Sequence, residues 1–421
     1  MLDLRLIRRD TDTVRRALAR RGDATALDQL LEVDVRSREL RTRVEEMRAE
    51  STRLAREIGT ARAAGSGVAA GQEDTARALR ERTAAEEDTL RQVEAERDAL
   101  LLSLPNIAQD SAPDGGEDDA VEVRAVGEIP TFAGAPRDHV EIAEAFGGLD
   151  LERAARTSGA RFAYLFGPMV RLQLALVSWT VDLLQAEGFT PVIPPVLVRE
   201  DALIATGFFP ADRSSVYATA DDDLYLVGTS EVPLAALHQD DIIPEEDLPL
   251  RYAGISSCFR REAGAAGRDT RGIFRVHQFD KVEMFSFTTP EQSDDEHQRI
   301  LGIEERILRD LGIPYRVVDV AVGDLGASAA RKFDCEAWMP GQGRYREVTS
   351  CSNCTDFQAR RLQVRTRRGT QAVPLHTLNG TAVAVGRTLI AILENHQRPD
   401  GSVAVPECLR PFGAPEVLGP G

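Results

Sequence analysis

The residues most able to do chemistry fall in FRREAGAAGRDTRGIFRVHQFDKVE, residues 259–283, two strand-like runs around a glycine-rich loop that bears arginine. If both runs are strands, alternation puts Arg260 and Glu262 on one face of the first, and His277, Phe279, Lys281 and Glu283 on one face of the second. Such a face displays guanidinium, ammonium, carboxylate and aromatic groups together. A planar guanidinium fork matches carboxylates and phosphates. Core faces are not built this way, because burying unpaired charges costs on the order of several kcal/mol each. The plain alternative is an open sheet face washed by solvent.

Similar groupings recur. In LYLVGTSEVP, Thr229 and Glu231 share a face; in RYREVTSCSN, Glu347 stands three residues before Ser350; in LNGTAVAVGRTLIAILEN, Asn379 and Thr381 precede a helix that carries Arg387 in its first turns. The pair Cys351 and Cys354 invites a zinc reading, but neither a second C-x-x-C nor paired histidines accompany it, so no zinc is expected. Neither of the two lysines, Lys281 and Lys332, sits in a phosphate-binding G-x-x-x-x-G-K-[ST] loop.

The elements that must hold these residues belong to a 421-residue chain with 43% apolar and 28% charged residues, long enough for two or three domains. It carries neither an apolar run of roughly 18 residues nor a signal-peptide core, so no membrane and a cytoplasmic location are expected. Five scattered cysteines read as reduced thiols. The net charge is −17, yet 15 arginines against 12 acids leave residues 1–62 at +3 and the remainder at −20. A specialised basic arm fits this segregation better than a basic coat.

Within that arm, Ala26, Leu30, Val33, Leu40, Val44, Met47, Leu54 and Ile58, with Ser37 and Ser51, trace a heptad seam. After a small-residue tip the period resumes at Ala76, Leu79, Leu90, Val93, Leu100 and Leu104. One antiparallel two-helix hairpin follows, ending at Pro105. Arg36, Arg43, Arg53 and Arg62 lie off the seam, where a phosphate backbone could reach them. The predicted organisation is an arm over 1–104, a Pro-, Gly- and Asp-rich linker over 105–120, and a second domain over 121–421. In the latter, strands joined by turns outnumber strand-helix-strand units, which predicts an α+β domain around an antiparallel sheet flanked by helices.

These motifs, in this order, resemble the class II aminoacyl-tRNA synthetases and specifically the bacterial-type seryl-tRNA synthetases. The resemblance spans essentially the whole chain: the hairpin, GFTPVIPPVLV, the Thr229-x-Glu231 element, residues 259–283, GDLGASAARKFDCEAWMPGQGRYREVTSCSNCTDFQARR, and LNGTAVAVGRTLIAILEN. It implies activation of L-serine by ATP with Mg²⁺, then transfer of the seryl group to the 3′ end of tRNA(Ser), with tRNA(Sec) as a further acceptor, by a homodimer. Arg260 and Arg387 would be catalytic. Serine would meet Thr229, Glu231, Arg260, Glu283, Asn379 and Thr381. ATP would lie against Arg260, Arg261, Glu262, Val276, Phe279, Glu347, Val348, Thr349, Ser350 and Arg387, with Mg²⁺ on Glu347 and Ser350. The tRNA would touch Arg36, Arg43, Arg53 and Arg62 on the arm, and Arg268 and Arg271 in the loop.

A housekeeping enzyme and a second copy serving resistance or biosynthesis share this pattern. The alternative from another class is an inactive RNA-binding paralogue, against which Arg260, Arg387 and Glu347 are all present. Two departures from the family pattern, Phe274 and the stretch FFPADRSSVYATADDD, are expected to lie clear of the ligands.

Overall fold

A computed structural model describes residues 1–22, 24–65, 71–263, 269 and 271–419. The chain forms two compact units, Leu2–Pro105 and Asn106–Gly421, the latter with Met1.

In the first unit, helices α1 (Thr25–Ala63) and α2 (Gln72–Ser103) lie side by side. Arg41 meets Glu94, Arg48 meets Glu87 at 2.7 Å and Arg62 meets Glu73 at 2.5 Å, an order that fixes an antiparallel register. Leu27, Leu30, Leu40, Val44 and Ile58 are buried, as are Ala76, Leu79, Val93 and Leu101 on α2. The seam departs from expectation near its start, where Asp34 rather than Val33 is buried. Arg8 donates to both Asp34 carboxylate oxygens, at 2.9 and 2.6 Å, and Arg38 adds a contact at 3.2 Å. Paired in this way, a carboxylate can occupy a seam position.

The expected linker over 105–120 is not a free tether. Asn106 is buried and its side-chain amide donates to the Ser328 and Cys354 carbonyls, each at 2.8 Å. Ala108 and Ala112 pack against Val320, Val322, Leu325 and Ala329. Read along the sequence the segment is polar, but its asparagine satisfies buried carbonyls of its own unit.

The second unit is built on strands β1 (Val121–Val126), β2 (Thr190–Val192), β3 (Leu250–Phe259), β4 (Gln278–Thr288), β5 (Tyr315–Asp319), β6 (Arg331–Met339), β7 (Arg344–Asn353) and β8 (His376–Ala384). They form one sheet in the order β1-β5-β6-β7-β8-β4-β3-β2, antiparallel except for the parallel β2–β3 pair. Helix α3 (Pro168–Ala186) opens with proline at its first turn and buries Met169, Leu172, Leu176, Leu183 and Leu184 at helical spacing. Helices α4 (Ser293–Asp310) and α5 (Val385–Asn395) share that core. No helix among the described residues is long and apolar enough to cross a membrane.

Strand β4 explains how a sheet face becomes a site. Val282 and Met284 enter the core with α3 and α5, while Phe285 and Phe287 enter a separate cluster with Leu234, Leu362, Val364 and Leu375. Lys281 and Glu283 alternate onto the face of Phe285 and Phe287. One strand face is therefore polar at its start and apolar beyond.

Candidate active site

A cavity of about 320 Å³ opens at the polar end of this face, lined from β4, β7, β8, the start of α5 and the segments around Thr229 and Phe274. The simple two-strand reading needs correction here. Strand β3 ends at Phe259, so Arg260 and Glu262 do not share a strand face; Glu262 has φ 51°. Arg260 continues the ladder for one step, its N–H donating to the His277 carbonyl at 2.9 Å, before the chain turns. Nor is the face washed by solvent: Lys281 and Glu283 are buried, and their charges are paired at 2.5 Å.

Around that pair is a small polar chamber. The Lys281 ammonium also donates to Thr229 Oγ1 at 2.6 Å, and Glu283 accepts from Asn379 Nδ2 at 3.2 Å and Thr381 Oγ1 at 3.4 Å. Thr381 stands directly opposite Glu283 in the β8–β4 ladder. On its other side Glu283 faces Gly254, where a Cβ would come within 2.7 Å of Leu234 and 2.9 Å of Ser230 Oγ. Only glycine lets the Thr229–Glu231 segment press this closely onto the sheet. Glu231 accepts from Gln358 Nε2 at 2.8 Å. Burial, and then the neighbouring Glu283, push its carboxyl up to about 7. Two buried carboxylates and one lysine leave the chamber one positive charge short, the complement of a ligand ammonium.

The wider end has different chemistry. Arg260 lies over the Phe279 ring at 5.3 Å and donates through Nε to the Gly228 carbonyl at 3.2 Å. Arg387 donates to the Glu347 carbonyl at 3.0 Å and lies 3.4 Å from its carboxylate. Burial works to raise the Glu347 carboxyl, but Arg387, Lys332 and Arg260 outweigh it and hold the group below its ordinary value. Glu347 and Ser350 both reach the cavity although a three-residue spacing should oppose them. The ladder register slips here, pairing Cys335 with Thr349 and Glu336 with Glu347, so that Val348 is an extra residue that restores the side. Among the described residues no group of three or more His, Cys, Asp or Glu side chains could hold a metal by itself. Two protein oxygens completed by substrate phosphates suit Mg²⁺.

Of the residues predicted for ATP, Glu262, Val276, Phe279 and Val348 also line the cavity. Glu262 is ion-paired with Arg275 at 2.5 Å. Two residues depart from the prediction. The Thr349 hydroxyl donates to Glu304 at 3.1 Å, away from the cavity, and Arg261 is exposed, its backbone N–H donating to the Ser215 carbonyl at 2.9 Å. The two family departures expected to lie clear do not: Phe274 sits under Arg387, and Phe208 and Asp212 line the cavity.

Of the residues predicted for tRNA, Arg268 lies outside the described residues. Arg271 bonds Asp138 at 2.6 Å, Arg43 is 3.8 Å from Glu86, Arg53 is 3.9 Å from Glu57, and Arg36 is exposed. Sequence reasoning missed Lys332, Gln358, Arg275 and Phe274. One signal was available: the chain has 49 arginines and only two lysines, and both lysines line this cavity. Lys332 stands 3.1 Å from Asp334; burial opposes its charge, but Asp334 and Glu347 keep the ammonium above the ordinary lysine range.

Comparison with known proteins accounts for both units. Residues 1–108 match the seryl-tRNA synthetase N-terminal domain, and residues 215–396 match the tRNA synthetase class II core domain (G, H, P, S and T). A serine–tRNA ligase of Streptomyces coelicolor is 51% identical over 432 residues, covering 100% of this chain and 99% of that one. The crystal structure of seryl-tRNA synthetase from Pyrococcus horikoshii complexed with ATP is 41% identical with a TM-score of 0.94, covering 100% of both chains. The cytoplasmic serine–tRNA ligase from Naegleria fowleri in complex with AMP is 34% identical with a TM-score of 0.88, covering 100% of this chain and 99% of that one. The chain belongs to the seryl-tRNA synthetase family of class II synthetases.

Proposed function

We propose that this protein activates L-serine with ATP and transfers the seryl group to the 3′ end of serine-accepting tRNA. The observation that carries the reading is a single cavity whose small end lacks one positive charge and holds hydroxyl and amide groups, while its wide end holds two arginines, an aromatic ring and a carboxylate. The serine ammonium goes to Glu231 and Thr229, and the hydroxyl to Glu283, Thr381 and Asn379. A chamber built to bond a hydroxyl rejects alanine and glycine because its own polar groups would be left unpaired.

The serine carboxylate attacks the α-phosphorus, the bond to the β-phosphate oxygen breaks, and pyrophosphate leaves. The nucleophile is already ionised, so the protein's work is positioning and charge neutralisation. Arg260 bridges the carboxylate and α-phosphate; Arg387 meets the terminal phosphates; Phe279 stacks on the adenine, with Glu262 at its edge. Glu347 and Ser350 offer oxygen ligands to a Mg²⁺ that, when bound, draws charge from the phosphates. A terminal ribose hydroxyl of tRNA then attacks the seryl carbonyl and AMP leaves. The arm, through Arg36, Arg43, Arg53 and Arg62, holds the tRNA body by phosphates and shape, with Arg268 and Arg271 near the acceptor end.

Homodimerisation is part of this reading. It is supported by exposed apolar side chains on the proline-bearing stretch and the preceding helix, Ile193 at 84% and Leu174 at 56%.

Pyrophosphate exchange with each of the twenty amino acids, followed by charging of total tRNA, tests the proposal. Serine-dependent exchange with transfer to tRNA is expected. A folded protein that exchanges with no amino acid would instead be an RNA-binding paralogue.

A further inference from the structure

Phe274 is buried beneath two guanidinium groups. The Cζ of Arg346 lies 3.9 Å from the ring centre and that of Arg387 4.7 Å. Two cations over one ring repel each other unless each brings its own counter-charge. Both do. Arg346 is bidentate on Asp269 of the glycine-rich loop, at 2.9 and 2.7 Å, and Arg387 lies 3.4 Å from Glu347. A ring face attracts a guanidinium without using any of its N–H donors. The planar fork therefore stays available for oxygen ligands. A carboxylate alone would be a poorer anchor, since Glu347 is wanted elsewhere once nucleotide is bound.

We propose that Phe274 is the positioning residue for Arg387, holding its guanidinium over the wide end of the cavity, and that Asp269 is tied to this platform through Arg346. The inference rests on the reading that Arg387 meets the triphosphate. It adds that Asp269 and the phosphate-facing arginine are mechanically one unit, joined at an aromatic ring that no hydrogen-bond pattern reveals. The platform belongs to the nucleotide end, so it leaves the serine chamber untouched.

The test uses the full-length protein and the variants Phe274→Met, Phe274→Tyr, Arg387→Ala and the Phe274→Met/Arg387→Ala double. Pyrophosphate exchange is measured with ATP and serine varied separately, and ATP affinity by calorimetry. Methionine keeps apolar bulk but removes the π face; tyrosine keeps the face. Phe274→Met is expected to raise the ATP KM and Kd about tenfold, with the serine KM within about twofold, and Phe274→Tyr to recover most of the loss. In the double variant, Phe274→Met should add less than about twofold to Arg387→Ala, because one residue acts through the other. An ATP constant within about twofold of the parent in Phe274→Met, while Arg387→Ala is impaired, would overturn the positioning role and leave the reading of Arg387 intact. Additive losses in the double variant would overturn it too, as would a lowered melting temperature with both KM values unmoved. Unchanged ATP constants in Arg387→Ala would instead remove Arg387 from the phosphates.

Discussion

On the helical arm, Arg43, Arg48 and Arg62 keep 59%, 63% and 64% of their side chains exposed while facing Glu86, Glu87 and Glu73 of the opposite helix. In the cavity, Lys281 and Glu283 face each other with 8% and 1% exposed. Both regions pair every cation just named with a carboxylate, but the pairs differ in what they can do. An exposed pair is worth about 0–1 kcal/mol and exchanges partners readily, so a phosphate can displace the glutamate. A buried pair left without one member loses about 3–5 kcal/mol, so it stays fixed and defines a chamber. The arm offers its charge to a large, adaptable partner; the cavity commits its charge to a small one.

The sharpest way to separate the two regions is to remove one. Deleting residues 27–104 should leave serine-dependent pyrophosphate exchange within about threefold, while tRNA charging falls on the order of a thousandfold through lost phosphate contacts. Loss of both activities from a folded protein would show that the cavity depends on the arm.

Breaking the buried pair comes next. Glu283→Gln should lower serine-dependent exchange by on the order of 10²–10³, the cost of losing a group aimed at the substrate. Because Lys281 loses its 2.5 Å partner, thermal melts should also show destabilisation. The nearby Glu231 carboxylate should hold it below the cost of an uncompensated buried charge, about 3–5 kcal/mol. Adding Lys281→Met in the same chain should recover stability and not activity. Recovery of both would mean that Glu283 only serves the fold.

The difference between the regions was unevenly legible in the sequence. Alternation along residues 279–287 led to side chains that line the cavity because strands obey local rules. Thr229 and Glu231 reach it not from the expected strand face but from the turn that opens a short helix at Glu231. Hidden features depend on distant partners. Gln358 reaches Glu231 from 127 positions away, and the extra residue Val348 turns a spacing that should oppose Glu347 and Ser350 into one that joins them. Asp34 reads as surface until Arg8, 26 residues earlier, is seen to neutralise it. Asn106 reads as linker until the carbonyls it satisfies are known. For Asp34 and Asn106 the local pattern gave the ordinary exposed answer, and a long-range hydrogen bond overruled it.

A smaller effect follows from the chamber's own charge. Glu231 titrates at about 7, raised by burial and by Glu283. Below that pH it gains a proton and loses the charge proposed to hold the serine ammonium, so serine binding should weaken as pH falls. From about half ionised at pH 7 to about a tenth at pH 6, the serine KM should rise about fivefold while the ATP KM stays flat. A serine KM constant between pH 6 and 8 would mean that the ammonium is held by another group.

The smallest effect tests the arm's side of the comparison. Arg43→Ala removes a cation 3.8 Å from Glu86 on an exposed helix surface, so unfolding free energy should change by less than about 0.5 kcal/mol. If Arg43 leaves Glu86 for a phosphate when tRNA binds, the same change should weaken charging in KM rather than kcat. It should also reduce the slope of log KM against log salt by about one. A measurable loss of stability with an unchanged salt slope would reverse the assignment, making the arginine a strut between the two helices. The contrast between exchangeable and committed charge would then end at the cavity wall.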